Sequence, residues 1–156
     1  MSIIGIVGSR RRNGLHDFLA TEVEFRKVYQ PGDRIVSGGC PQGGDRFAEI
    51  ISLLLAQPGE WTVHYLWMMS LSRRHAMIKA YGAPITIHHA EWVKRGRGAG
   101  HYRNTFIARD ADVLIACVAP DRTGGTEDTI TKFERRTGRK AILVPLIGQS
   151  TGDEVI

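Results

Sequence analysis

The residues able to do chemistry fall in glycine-bearing turns and beside one arginine. Gly124-Gly125-Thr126 follows Pro120-Asp121-Arg122-Thr123 and precedes a helical pattern from Glu127 to Arg136. Glycines there let the backbone come close to a ligand, Thr126 is expected to cap the helix, and free N–H groups at a helix start favour an anion. Gly8-Ser9-Arg10 puts a hydroxyl and a guanidinium directly after an apolar run. Ser37 to Asp45 holds four glycines in nine residues (Gly38, Gly39, Gly43, Gly44) and ends on Asp45, expected as the next helix's N-cap. Such a loop suits phosphate or ribose held on backbone amides. It is neither a Walker A loop, since Gly-Lys-Ser/Thr is absent, nor a G-x-G-x-x-G fingerprint. After Gly96-Arg97-Gly98-Ala99-Gly100, Arg103 and Asn104 fall in the first turn of another helix. A guanidinium there can hold phosphate or carboxylate through two parallel bonds.

Other chemistries find less support. His88 and His89 are adjacent, so on a strand they point to opposite faces and cannot chelate one metal together. Cys40 and Cys117 make neither a disulfide framework nor a four-ligand zinc site. No metal or cofactor is therefore expected. Arginines gather at 10–12, 73–74, 95–97 and 135–139, and the net charge of +5 with pI near 9.6 favours an anionic partner without choosing one. Trp61, Trp67 and Trp92 could stack bases, but core packing is the plainer reading of them.

These turns need strands and helices to hold them. Val113 to Ala119 is an unbroken apolar run, suited to the interior of a parallel sheet covered on both faces. The chain otherwise alternates: strand 3–7; helix 15–29 with Leu15, Phe18, Leu19 and Val23 on one side; strand 34–37; helix 46–56; strand 85–88; helix from near Gly100 to Asp110 or Asp112; strand 141–146. Residues 61–67 alternate like a strand, and a helix is expected from Ser70 or Ser72 to about Tyr81. Five to seven strands, mostly separated by helices, predict a Rossmann-like α/β fold: a doubly wound, mostly parallel sheet with helices on both faces. The loops after residues 7, 36, 88 and 119 then line one edge, where such sheets bind ligands.

A chain of 156 residues with 42% hydrophobic and 24% charged residues fits one globular domain, 1–156, with a loose tail at 148–156. No apolar run approaches the ~20 residues that span a bilayer, and the start is too short for a signal peptide. A cytoplasmic location without membrane association is expected.

The series Gly8-Ser9-Arg10, Ser37-Gly38-Gly39 to Gly44-Asp45-Arg46, Trp92 to Arg103-Asn104, Asp112 and Gly124-Gly125-Thr126-x-Asp128-Thr129 resembles the SLOG superfamily of Smf/DprA DNA-processing proteins and Lonely Guy enzymes, and within it the YspA, YpsA-related family. Residues 58–83 resemble an insertion relative to that pattern. The resemblance implies a nucleotide or nucleotide-derived ligand. Ser9, Arg10, Gly38, Gly39, Gly44 and Asp45 would hold one part of it, Arg103 and Asn104 its phosphate, and Gly124, Gly125 and Thr126 a second phosphate or ribose, with Gly8 and Gly100 also touching the ligand. Lonely Guy enzymes cleave N-glycosidic bonds of nucleoside monophosphates with an arginine and a glutamate. Arg103 matches that arginine, whereas the glutamate position is Thr129, which has no carboxylate to supply. Were this chain a phosphoribohydrolase-like enzyme, Arg103 would steer phosphate and Asp128 or Glu127 would serve as the carboxylate. The alternative is single-stranded DNA binding of the DprA type through the arginine clusters. The resemblance also implies a homodimer.

Overall fold

The computed structural model describes residues 1–55, 61–65, 85–89 and 95–146. Its elements are β1 (Ile3–Gly8), α1 (Leu15–Val28), β2 (Arg34–Ser37), α2 (Gly44–Leu55), β3 (Trp61–Tyr65), β4 (Ile85–His89), a 3₁₀ turn (Gly96–Gly98), α3 (Ala99–Asp110), β5 (Val113–Cys117), α4 (Gly125–Thr137) and β6 (Ile142–Leu143). The expected helix near 70–81, the insertion at 58–83, Trp67, Trp92, Arg73, Arg74 and the 148–156 tail lie, wholly or in part, outside the described residues.

The sheet has six strands in the order β4-β3-β2-β1-β5-β6, and every neighbouring pair is parallel. From β1 the chain works outward on one side to β4, then crosses back to place β5 on the other side of β1. The strand order therefore reverses between β1 and β5. In a Rossmann-like α/β sheet that switch point opens a crevice beyond the strands' carboxyl ends. β1 and β5 are joined in register from Ile4–Val113 through Gly8–Cys117.

Alternate residues of these strands feed two separate cores. Ile4, Ile6, Ile35, Ile115 and Cys117 pack with Ala20 and Phe25 of α1 and Phe47, Ala48 and Ile51 of α2. Val7, Val36, Leu114 and Ala116 pack with Ile107 and Ala108 of α3 and Ile130 and Phe133 of α4. Because successive strand side chains point to opposite faces, this partition assigns one helix pair to each core. In β5, Leu114 to Cys117 are at 0% exposure, which explains its unbroken apolar run.

Helix α1 departs from the expected face. Leu15, Leu19 and Val23 are exposed, Leu15 to 68%, and only Phe18 of that set packs against the core. The buried face instead carries Ala20, Thr21 and Phe25. Thr21 can be buried because its hydroxyl donates to the Asp17 carbonyl one turn back (2.8 Å). Both capping expectations also change. Asp45 and Thr126 stand inside the first turns of α2 and α4, and the N-cap of α4 is Gly124, at φ +109°. Glycine alone adopts that backbone conformation without strain.

Candidate functional site

At the switch point the loops after β1, β2 and β5 enclose a cleft of about 400 Å³. Gly8, Ser9, Arg10 and Arg11 line it from the first loop, Cys40 and Asp45 from the second, Arg103 from α3, and Thr123, Gly124, Gly125 and Thr126 from the last. The volume lies within the usual range for small-molecule sites.

Close backbone packing sets the first two walls against each other. A Cβ on Gly44 would stand 2.2 Å from the carbonyl carbon of Val7 and 2.4 Å from the Gly8 nitrogen; one on Gly43, at φ +72°, would stand 2.4 Å from the Ser9 carbonyl oxygen. These glycines therefore let α2's N-terminus press onto the end of β1, so their role is chain against chain. Gly38, Gly39, Gly44, Gly100 and Asn104, all expected to touch ligand, lie outside the lining.

Gly38 shapes the cleft indirectly. A side chain there would meet Asp45 Oδ2 at 2.6 Å and Arg103 Nη1 at 2.8 Å, so its absence lets those two groups approach each other. Their closest atoms are 3.8 Å apart, Arg103 Nη1 also points to the Gly38 carbonyl at 3.4 Å, and both side chains are largely buried. Asp45 Oδ2 accepts the Cys40 amide (3.2 Å). Burial pushes the Asp45 carboxyl above its ordinary range, against the opposing pull of the Arg103 charge and of the Cys40 and Gly38 amides.

Arg103 is braced from behind. Its Nη2 donates to Asn104 Oδ1 at 3.0 Å, while Asn104 Nδ2 donates to the Gly125 carbonyl and to Asp128 Oδ2, each at 3.1 Å. Buried Asn104 thus ties the guanidinium to the start of α4, a positioning role. Asp128 also accepts from Lys132 (2.8 Å) and lies 3.2 Å from His101 Nδ1. Burial disfavours its ionisation, but hydrogen bonds from Lys132 and Asn104 outweigh that and hold the carboxyl below its ordinary range. Glu127 pairs with Arg122 at 2.6 Å and 2.9 Å. Neither Glu127 nor Asp128, the two expected catalytic carboxylates, lines the cleft, and Thr129 is buried in the core side of α4. Among the described residues, the carboxylate lining the cleft is that of Asp45.

The mouth is spanned by residues that sequence reasoning missed. Arg11 donates through Nη1 and Nη2 to the Asp121 carboxylate (2.9 Å and 2.7 Å) and through Nη2 to Thr123 Oγ1 (2.8 Å), joining the β1 and β5 loops. The Arg11 and Thr123 bonds hold the Asp121 carboxyl well below the usual carboxylate range. The Asp-x-Thr spacing, typical of a side-chain-stabilised turn, was the available signal for Asp121 and Thr123. Cys40 carried none beyond its place in the glycine-rich loop.

Several arginines of the expected basic patches serve the fold. Arg12 is buried and donates to the carbonyls of Val118, Val144 and Pro145 and to Asp17. Arg136 donates to the carbonyls of Ala108 and Ala111, and Arg139 to that of Asp112. Among the described residues no helix is long and apolar enough to cross a membrane, and no group of three or more His, Cys, Asp or Glu could hold a metal ion. No family model matches the chain, and neither a curated protein nor a solved structure matches it.

Proposed function

We propose that the cleft binds a nucleotide or nucleotide-derived anion, as the resemblance to the SLOG superfamily implies. The observation that carries this reading is the convergence of Arg10, Arg103 and the Gly124–Thr126 start of α4 on one concave surface at the switch point. A helix start offers unpaired amides to an anion, and a guanidinium in a recessed wall supplies a charge-assisted contact. If bonds are broken, N-glycosidic cleavage remains the reaction implied by the resemblance, with Arg103 steering phosphate. A small ligand is favoured over single-stranded DNA because Arg12 is buried and Arg136 and Arg139 commit guanidinium donors to backbone carbonyls, leaving fewer donors free for a polynucleotide's phosphates.

The test is thermal unfolding with a panel of nucleoside monophosphates, NAD and ADP-ribose, followed by calorimetry on any that shift the transition. Binding to the native state alone must raise the transition temperature. Arg103→Ala is expected to weaken binding by about 1.5 to 3 kcal/mol. A panel without any shift contradicts the reading.

The homodimer belongs to the same proposal. Leu15, Leu19 and Val23 recur every four residues along α1, forming an exposed apolar row that supports it.

A further inference from the structure

The cleft wall holds one feature that an anion alone does not explain, the recessed Asp45. A carboxylate repels phosphate, so the part of an anionic ligand that suits it is a hydrogen-bond donor. Asp45 is 5% exposed yet lines the cleft. A carboxyl offers about four acceptor positions when ionised and keeps part of that capacity when protonated. The described hydrogen bonds are from the Cys40 and Gly38 amides; the Arg10 charge also acts on the carboxyl, and Arg103 at 3.8 Å is too distant for a hydrogen bond. Acceptor capacity therefore stays available beside a guanidinium, with the amide-bearing start of α4 among the residues lining the same cleft.

We infer that Asp45 is the subsite for the ribose hydroxyls of the bound ligand, so that the cleft takes ribonucleotides in preference to their 2′-deoxy counterparts. This rests on the nucleotide reading above and adds the sugar class to it. A buried carboxylate that hydrogen-bonds a hydroxyl rejects the analogue lacking it, because its acceptor is then left unpaired in a site that water reaches poorly. The flanking Arg103 keeps a neutralising charge near Asp45 whether or not the hydroxyl is present, so the discrimination comes from the hydrogen bond.

The experiment compares dissociation constants by calorimetry for matched pairs: AMP, GMP, CMP and UMP against the corresponding 2′-deoxy monophosphates, with ribose 5-phosphate and 2-deoxyribose 5-phosphate as base-free controls. The expected result is a preference of about tenfold or more for the ribose member of each pair that binds, base-free pair included. Asp45→Asn should shrink the ratio by weakening the ribose members and sparing the deoxy members. Equal affinities within every pair overturn the inference while leaving the nucleotide reading intact. Discrimination that depends on the base and vanishes in the sugar phosphates assigns Asp45 to a base amino group and also overturns it. Equal weakening of both members by Asp45→Asn makes the carboxylate a partner of Arg103 only, with the same consequence. Absence of binding by every compound overturns both readings. Should Asp45→Asn fail to fold, the wild-type ratio decides.

Discussion

Arg10, Arg11 and Arg12 are consecutive, yet they reach three different environments. Arg10 faces the cleft, Arg11 spans its mouth to Asp121, and Arg12 is buried against three carbonyls at the ends of the β5 and β6 strands. A count of basic residues cannot separate these roles, because the turn at Ser9 rotates each side chain differently; the Ser9 carbonyl accepts the Arg12 amide at 3.1 Å. Asp128 shows the same limit. Its place beside the Gly-Gly-Thr loop suggested chemistry, but it joins Asn104 of α3 to Lys132 of α4. Its folded-state carboxyl titrates below its unfolded value of about 3.9. The stability it contributes is therefore present above about pH 4 and is lost as pH falls toward the folded-state value. Asp128→Asn is expected to cost about 1 to 2 kcal/mol near neutrality. Melting curves of wild type and variant from pH 7 to 3 should show their difference shrinking below about pH 4; a difference independent of pH contradicts the assignment.

At the scale of elements, glycines that look alike in sequence separate by what surrounds them. Gly44→Ala would drive a methyl into the Val7–Gly8 backbone, and overpacking of that kind costs about 1 to 3 kcal/mol or more, above the gain of up to about 1 kcal/mol that alanine brings to a helix. Gly100, inside α3, has no atom of the described residues within 4 Å of an added Cβ, its own helix backbone and chain neighbours aside. Gly100→Ala should stabilise by about 0.5 to 1 kcal/mol. Urea denaturation midpoints moving in opposite directions for the two variants would check this; a stable Gly44→Ala protein would refute the tight contact. The strands at 3–8, 34–37, 85–89 and 113–117 were legible because each gathers β-branched or aliphatic residues in a short stretch. The face of α1 was not, since the every-fourth-residue row of Leu15, Leu19 and Val23 mimics a core stripe while the packed face includes Thr21. The loops Gly8–Arg10 and Gly124–Thr126 were legible as cleft lining from their place after strands. Arg11, Cys40 and Thr123 needed the fold, because tertiary placement brings them to the cleft.

For the whole molecule, the reversal of strand order around β1 and β5 brings the loops of distant segments to one crevice, while α1, packed through Ala20, Thr21 and Phe25, turns an apolar row outward. Sedimentation equilibrium is expected to give twice the chain mass at micromolar concentration, reduced to the monomer by Leu19→Glu; a monomeric wild type contradicts pairing through α1. The crevice is the proposed anion site. A crystal structure with the tightest-binding nucleoside monophosphate tests it most directly: the phosphate is predicted within hydrogen-bond reach of the Gly125 and Thr126 amides and of the Arg103 guanidinium. A nucleotide bound elsewhere on the molecule, with this crevice empty at saturating concentration, would contradict the account.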